Sequence, residues 1–263
     1  MVLSLNLLFV LACNAVGTVA VSYLNEELLF IQHEIKNGML RPASYIIAKF
    51  ILTVPFIIVF AICALGIPGW LMQNYPTTSP SWLAAVLLWS MLSFLFESLA
   101  ECLAIWIDNA VVGMLLYLTF WVASFLFSGL FLPLYDLLGP LKIFYYATPF
   151  SYYIRSMYYV LYSDVTFDAC DSSLNPLQPI CVESGTGSDV LKALHDILPV
   201  FENKDNVAKD IGIISLMIVV FKVLYIGGVV LKGRKISIPK PSKPVIADAS
   251  AGAVVDPAIV LLD

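Results

Sequence analysis

The sequence predicts an all-α integral membrane protein, and three observations support this fold class. Hydrophobic residues make up 60% of the 263 residues and charged residues 13%, with a mean hydropathy of +0.89, which soluble domains do not show. Several segments stay apolar for about 20 residues, the helix length that crosses a hydrocarbon core. Residues 111–129, VVGMLLYLTFWVASFLFSG, are apolar on every side, whereas strands of a membrane barrel alternate apolar and polar residues.

Five segments have the length and composition of membrane-spanning helices. They are residues 1–23, 44–66, 82–107, 110–130 and 209–231. A charged segment, residues 25–41, joins the first two and is called the connecting helix below. Residues 131–208 form a long connection before the last span, and residues 236–263 have the composition of a disordered cytoplasmic tail.

Lysine and arginine residues predict the orientation, because they are concentrated on the cytoplasmic side of membrane proteins. They cluster at residues 36–49 and again at residues 232–243. Residues 25–43 and the tail are therefore expected on the inner face, and the long connection outside. An odd number of spans then places Met1 outside, which we interpret as an inner piece of a longer chain. A cleavable signal peptide at the start is the alternative.

The connecting helix is predicted to be amphipathic and to lie along the inner membrane face. Asn25 is the expected N-cap, and Gly38 is the expected end. Its apolar stripe is Leu24, Leu28, Ile31, Ile35 and Met39. Glu27, Glu34 and Arg41 recur every seven residues beside that stripe. They are expected to face the cytosol; the alternative is a plain surface helix that only joins two spans.

Ionisable residues inside membrane spans need an oppositely charged partner or a water-filled pathway. At about 1.5 Å per residue, Lys49 and Glu101 each lie about 8 to 9 Å from the inner ends of their spans, and Lys222 and Glu97 about 14 to 15 Å. These depths predict two structural ion pairs, Lys49 with Glu101 and Lys222 with Glu97. The alternative is a proton or cation relay through Glu97 and Glu101, one helical turn apart. Asp108 is expected to cap the helix that follows it.

The outer connection carries two cysteines, Cys170 and Cys181, which are expected to form a disulfide; free thiols or an intermolecular bridge are the alternatives. Residues 131–150 are too short and too interrupted by proline for two crossings, and predict a partly re-entrant hairpin. The tyrosines between residues 145 and 162 predict an interfacial aromatic belt. No metal site is predicted, because His, Cys and paired carboxylates do not occur at ligand spacing.

The order of residues from the connecting helix into the next span resembles that of a known family. These residues are Glu27, Phe30, Glu34, Gly38, Arg41, Tyr45, Lys49 and Pro55. Asn109 then opens a helix that ends in FSGLFLP, and YYATPFSYYIRSMYYVLYSD follows. Over residues 1–235 the chain resembles the C-terminal part of the membrane-spanning domain of G-subfamily ABC transporters, the pleiotropic drug resistance and white type.

The resemblance implies a type-2 ABC exporter transmembrane domain, with five of its six spans. Such a domain is embedded in membrane lipid, typically in the plasma membrane. It pairs with a second transporter half, identical or different, and no nucleic-acid partner is expected. It exports lipids, sterols or amphipathic compounds by using ATP and Mg bound to a nucleotide-binding domain. Because the chain has no G-x-x-x-x-G-K-[ST] phosphate loop, it is not expected to be an enzyme by itself.

The resemblance also implies residue roles. Asn14, Val122 and Phe125 are expected to line the substrate path. Leu130 and Phe131 are expected to form an apolar plug at the dimer axis. The connecting helix is expected to rest on the nucleotide-binding domain through its three charged residues. For the path and the plug, lipid-facing or core apolar filler is the alternative.

Two other functions stay open at the level of sequence. One is a stand-alone channel or ion-coupled carrier that uses Glu97 and Glu101. The other is an inactive truncated gene product.

Overall fold

The structure, a computed structural model, describes residues 17–71, 80–132, 137–163 and 205–235. Between residues 166 and 201 it describes only short pieces. All structural statements below concern these residues. The first 16 residues, which contain most of the first predicted span, and residues 236–263, the predicted tail, lie outside them.

The described chain is helical, as the sequence predicts, apart from one pair of two-residue strands. The long helices are α1 (Gly17–Lys36), α2 (Pro42–Leu71), α3 (Pro80–Trp106) and α4 (Ala110–Leu126), followed by the 3₁₀ turn Gly139–Leu141, α5 (Lys142–Ala147), α6 (Pro149–Tyr162) and α7 (Val207–Lys235). The strands β1 (Thr166–Phe167) and β2 (Gly185–Thr186) are antiparallel, with Thr166 opposite Thr186.

Three of the described helices are long and apolar enough to cross a membrane: Pro42–Leu65, Trp82–Trp106 and Val207–Lys232. They match three of the predicted spans. The fourth prediction, residues 110–130, becomes a helix of 17 residues that ends at Leu126. The chain leaves helical geometry there, and Gly129 has a φ of +86°, a conformation that glycine adopts without steric cost.

Helix α3 is the centre of the bundle and packs against α1, α2, α4, α6 and α7. Most of its side chains are apolar, and those of Trp89, Leu92 and Phe96 are fully buried, as expected for a helix surrounded by other helices. Helix α2 is the opposite case, since apolar residues such as Leu52 and Phe56 are more than 70% exposed. This surface suits contact with lipid or with another membrane helix.

The expected N-cap at Asn25 is wrong, because α1 runs without a break from Gly17 to Lys36. Asn25 lies in the middle of the helix and is buried. Its amide Nδ2 donates hydrogen bonds to the carbonyl oxygens of Ala104, at 3.2 Å, and Ile107, at 2.9 Å, where α3 ends. The side chain that was expected to cap its own helix therefore binds the last carbonyls of another.

The other end of the connecting helix is as predicted. Gly38 has a φ of +72°, and its amide donates to the carbonyl of Ile35 at 3.1 Å, which closes α1 in the way typical of glycine. Leu24, Leu28 and Ile31 form a buried stripe. Because α1 packs on α3 and α4, this stripe contacts protein, whereas the sequence had placed it in the lipid boundary.

The two ends of the bundle differ in chemistry. One end, called the basic end, carries the turn at residues 37–41, the turn at residues 107–109 and the last residues of α7, where Lys232 contacts Asp108 at 2.5 Å. The Lys232 ammonium holds the pKa of the Asp108 carboxyl below its usual range. Asp108 is therefore an ion-pair partner, and the expected cap role belongs to Asn109, whose side chain accepts from the Val111 amide at 3.0 Å.

The opposite end, called the loop end, carries α5, α6 and the start of α7. Helix α6 packs against α3 and α7, and α5, which lies within the predicted hairpin, contacts α4 and α6. The re-entrant path of the hairpin stays a prediction. Tyr145, Tyr152, Tyr153 and Tyr158 are buried in the protein, so these four do not form an interfacial belt. Tyr146 is 58% exposed, and its position at the membrane interface stays a prediction.

Candidate functional site

Four charged side chains from four helices meet near the basic end of the bundle. Glu27 on α1 contacts Lys49 on α2, with 3.2 Å between Oε2 and Nζ. Glu101 on α3 contacts Lys222 on α7, with 2.6 Å between Oε2 and Nζ. A contact of 3.9 Å between Lys49 Nζ and Glu101 Oε1 joins the two pairs. These four residues are called the charged network.

The charged network is electrically neutral and mostly buried. Its two acids balance its two bases, and the Glu101 side chain is only 2% exposed. The Tyr45 hydroxyl donates to Glu27 Oε1 at 2.8 Å, and Lys49 Nζ donates to the same hydroxyl at 3.1 Å. Lys222 Nζ lies 4.7 Å from the centre of the Phe94 ring. Burying an unpaired charge costs several kcal/mol of free energy. The ion pairs and hydrogen bonds of the network offset this cost.

One predicted ion pair is present and the other is wrong. Lys49 does contact Glu101, although its shorter contact is with Glu27. Lys222 binds Glu101, and among the described residues no ion pair joins it to Glu97. Counting depth along the chain cannot separate Glu97 from Glu101, since they differ by one turn, about 5.4 Å, and a lysine side chain is long enough to span that difference.

The charged positions of the connecting helix do not act as one strip. Glu27 belongs to the charged network, whereas Glu34 is half-buried nearer the end of α1 and Arg41 is exposed just before α2. Among the described residues, no ion pair involves Glu34 or Arg41. The structure therefore places one of the three inside the bundle and leaves the other two at its basic end.

The residues expected to form the substrate path and the plug meet at the end of α4. The Phe125 ring lies 4.9 Å from the Phe131 ring and 5.9 Å from the buried Phe150 ring, measured between centres. Val122 is 38% exposed and Phe131 is 56% exposed, while Leu130 is half-buried. Asn14 lies outside the described residues.

These helices and contacts can be compared with known proteins. The family model described as ABC-2 type transporter matches residues 1–162, more than half of the chain. The chain belongs to the ABC-2 type transporter family. No curated protein matches it. The match includes α1 to α6, and with them Glu27, Lys49 and Glu101, whereas Lys222 on α7 lies beyond it.

Membership of the ABC-2 family makes this chain the membrane component of an ABC-type transporter, and so an integral membrane protein. An ABC-2 membrane domain contains no ATPase domain and is not itself catalytic. The all-α bundle, with its apolar span-length helices, is consistent with that assignment.

A second ionic cluster of this ABC-2 domain escaped the sequence analysis. At the loop end, Arg155 on α6 binds Asp210 on α7 through two nitrogens, with its Nε donating to Oδ2 at 2.8 Å. The Ser156 hydroxyl also donates to Asp210 Oδ2, at 2.7 Å, and Asp210 is completely buried. The sequence did contain a signal for this cluster. Asp210 lies in the first turn of the apolar helix α7, and a charge at such a position requires a partner.

Two further expectations concern cysteines and metals. Cys170 and Cys181, the expected disulfide, lie outside the described residues. In the part of the chain that the structure describes, no group of three or more His, Cys, Asp or Glu side chains is placed to hold a metal ion.

Proposed function

We propose that this ABC-2 domain is the membrane-spanning portion of an ATP-driven exporter of the G-subfamily type, which moves lipids, sterols or amphipathic xenobiotics. It works with a nucleotide-binding domain that binds ATP and Mg, and with a second transporter half, identical or different. The basic end faces the cytoplasm, and the plasma membrane is its location. Family membership and the lysine and arginine distribution support this proposal.

The observation that carries the proposal is the charged network. Glu27 lies on α1 within residues 25–41. Through ion pairs with Lys49, Glu101 and Lys222, the network links α1 to α2, α3 and α7. Separating these ions in a medium of low dielectric constant is costly. A force applied to residues 25–41 when the nucleotide-binding domains close is therefore shared with three other helices at once.

The substrate leaves through the region around Phe125, Leu130 and Phe131. Gly129 supports this role because its backbone conformation redirects the chain directly after α4. A Cβ atom at this position would lie 2.9 Å from the Tyr145 ring, so the backbone just before the plug residues lies against α5. Bulky apolar side chains of two halves at such a position can close a path by dewetting.

An ion-coupled carrier is the second candidate function. It is favoured by one observation, the buried Glu97 Oε2, which has no hydrogen-bond partner among the described residues. The two functions differ in their energy source. Transport that continues without ATP but stops when the proton gradient is removed would establish the carrier.

The coupling role is tested by reversing one charge in the complete transporter. We expect Glu34→Arg to leave ATP hydrolysis largely intact and to reduce transport at least about tenfold, a coupling change of about 1.4 kcal/mol. Glu26→Arg, an exposed position on the same helix, is the matched control and should transport normally. Unchanged coupling in the Glu34 variant contradicts the proposal.

The orientation is tested by cysteine labelling. In a background in which serine replaces the five native cysteines, a membrane-impermeant maleimide should modify Glu34→Cys only after the membrane is opened. Modification from the outer medium of intact cells would overturn both the orientation and the docking role.

A further inference from the structure

We propose that the pocket between α1, α2, α3 and α4 binds a membrane-dissolved amphiphile that carries one positive charge, with Glu97 as the counter-ion. The pocket has a volume of about 760 Å³, within the range of sites for drug-sized ligands. This proposal deepens the proposed function and rests on it for the class of cargo, but it concerns a different place from the path around Phe125.

The walls of the pocket are apolar and rich in aromatic rings. The aromatic members are Tyr23, Phe56, Phe60, Phe96 and Tyr117. Glu97 is the single acidic residue among the described lining residues. A carboxylate combined with aromatic faces is the combination that recognises onium and ammonium groups, since both attract a cation.

Glu97 has no cation of its own in the described structure. The two lysines in its neighbourhood are engaged elsewhere, Lys222 with Glu101 at 2.6 Å and Lys49 with Glu27 at 3.2 Å. Thr53 hydrogen-bonds to the Glu97 carboxyl, but Oε2 is buried without a partner. This residue lies about 14 Å from the end of α3 at about 1.5 Å per residue, a depth at which an unpaired charge is unfavourable.

The charge selects the occupant. A neutral sterol would cover the aromatic walls but leave the Glu97 carboxylate without a counter-ion, and a zwitterionic lipid would bring a phosphate together with its ammonium group. A lipophilic cation satisfies both the walls and the carboxylate. We therefore assign the pocket to lipophilic cations.

The test uses the full chain in phosphatidylcholine nanodiscs and equilibrium dialysis with tritiated tetraphenylphosphonium. We expect saturable binding to the wild type, and at least about tenfold weaker binding to Glu97→Gln, equivalent to about 1.4 kcal/mol. Glu26→Gln removes the same charge from an exposed position of α1 and should bind as the wild type does. Ala20→Leu places a larger side chain in the pocket wall and should abolish binding.

A neutral competitor gives a measurement that does not depend on any variant folding. Triphenylphosphine oxide, which has similar rings but no net charge, should not displace the probe from the wild type. Equal binding to wild type and Glu97→Gln, or displacement by the neutral compound, overturns the proposal.

The dialysis contains neither ATP nor a nucleotide-binding domain. The binding proposal and the exporter proposal can therefore be refuted independently. Absent binding refutes the pocket alone, whereas intact binding without ATP-dependent transport refutes the exporter.

Discussion

Glu101→Gln is expected to destabilise the protein far more than Glu97→Gln, although the two glutamates lie one turn apart on the same helix. Glu101 is 2% exposed and contacts two lysines. Removing one partner of a buried ion pair costs about 3 to 5 kcal/mol, because the other charge stays buried. Lys49 retains Glu27, and the Lys222 side chain keeps 20% exposure, so we expect a value near the lower limit, about 3 kcal/mol.

Glu97→Gln is the matched control for this prediction. It keeps the shape of the side chain and an oxygen that can bind Thr53, and it breaks no ion pair in the described structure. We expect its effect on the free energy of unfolding to be below about 1 kcal/mol, in the range of substitutions that remove no specific contact.

The assay is reversible unfolding by SDS in mixed micelles, followed by circular dichroism. A second variant that combines Glu101→Gln with Lys222→Met removes both charges, and should recover about 2 kcal/mol relative to Glu101→Gln alone. The reasoning fails if Glu97→Gln proves the more damaging of the two single variants. It also fails if the double variant recovers nothing, since Lys222 would then not be the partner of Glu101.

Three further substitutions test other contacts. Asp210→Asn should lower the stability by about 3 kcal/mol, because it removes the buried carboxylate that the Arg155 guanidinium binds through two nitrogens; SDS unfolding measures this loss. Gly129→Ala should cost about 1 to 3 kcal/mol, because alanine is strained at this φ and its Cβ would contact the Tyr145 ring; thermal unfolding in detergent detects it. Asn25→Ala should cost about 1 to 3 kcal/mol, because it leaves carbonyls at the end of α3 without a donor, and hydrogen exchange there should increase.

Each of these predictions has a control on the same element or in the same segment. Ser156→Ala removes one hydrogen bond to Asp210 and no charge, so its cost should be about 1 kcal/mol. Gly139→Ala has open space around the added methyl group and should change little. Ser22→Ala loses only a bond within α1. If a control variant loses as much unfolding free energy as its test variant, the contact proposed for that test variant is not the cause of its loss.

The sequence predicted the helices better than it predicted their partners. Spans such as residues 82–107 are recognisable because a run of apolar residues has one stable conformation in a membrane, and the end of α1 at Gly38 is a local backbone property. The role of Asn25 depends on the end of α3, about 80 positions later, and no local pattern contains that information. A side chain with good capping chemistry can cap a helix other than its own.

The candidate site was predicted in part: three of its four residues and one of its ion pairs, Lys49 with Glu101, were expected. The need for partners of Lys49, Glu101 and Lys222 follows from the cost of charge in a membrane, and these residues do meet. Which acid binds which base depends on helix register and side-chain reach, which residue counting resolves only to about one turn. Arg155 and Asp210 show the same limit, because the packing of α6 against α7 brings them together.

The continuity of α1 has a mechanical consequence. A helix of 20 residues is about 30 Å long at 1.5 Å per residue, and this one has no hinge at which to absorb a push. Tilting such a rod by about 10° around its Gly17 end carries the Lys36 end about 5 Å sideways. A helix with a hinge would absorb that displacement at the hinge. A continuous helix moves as one rigid body, so a displacement at one end moves the other end as well.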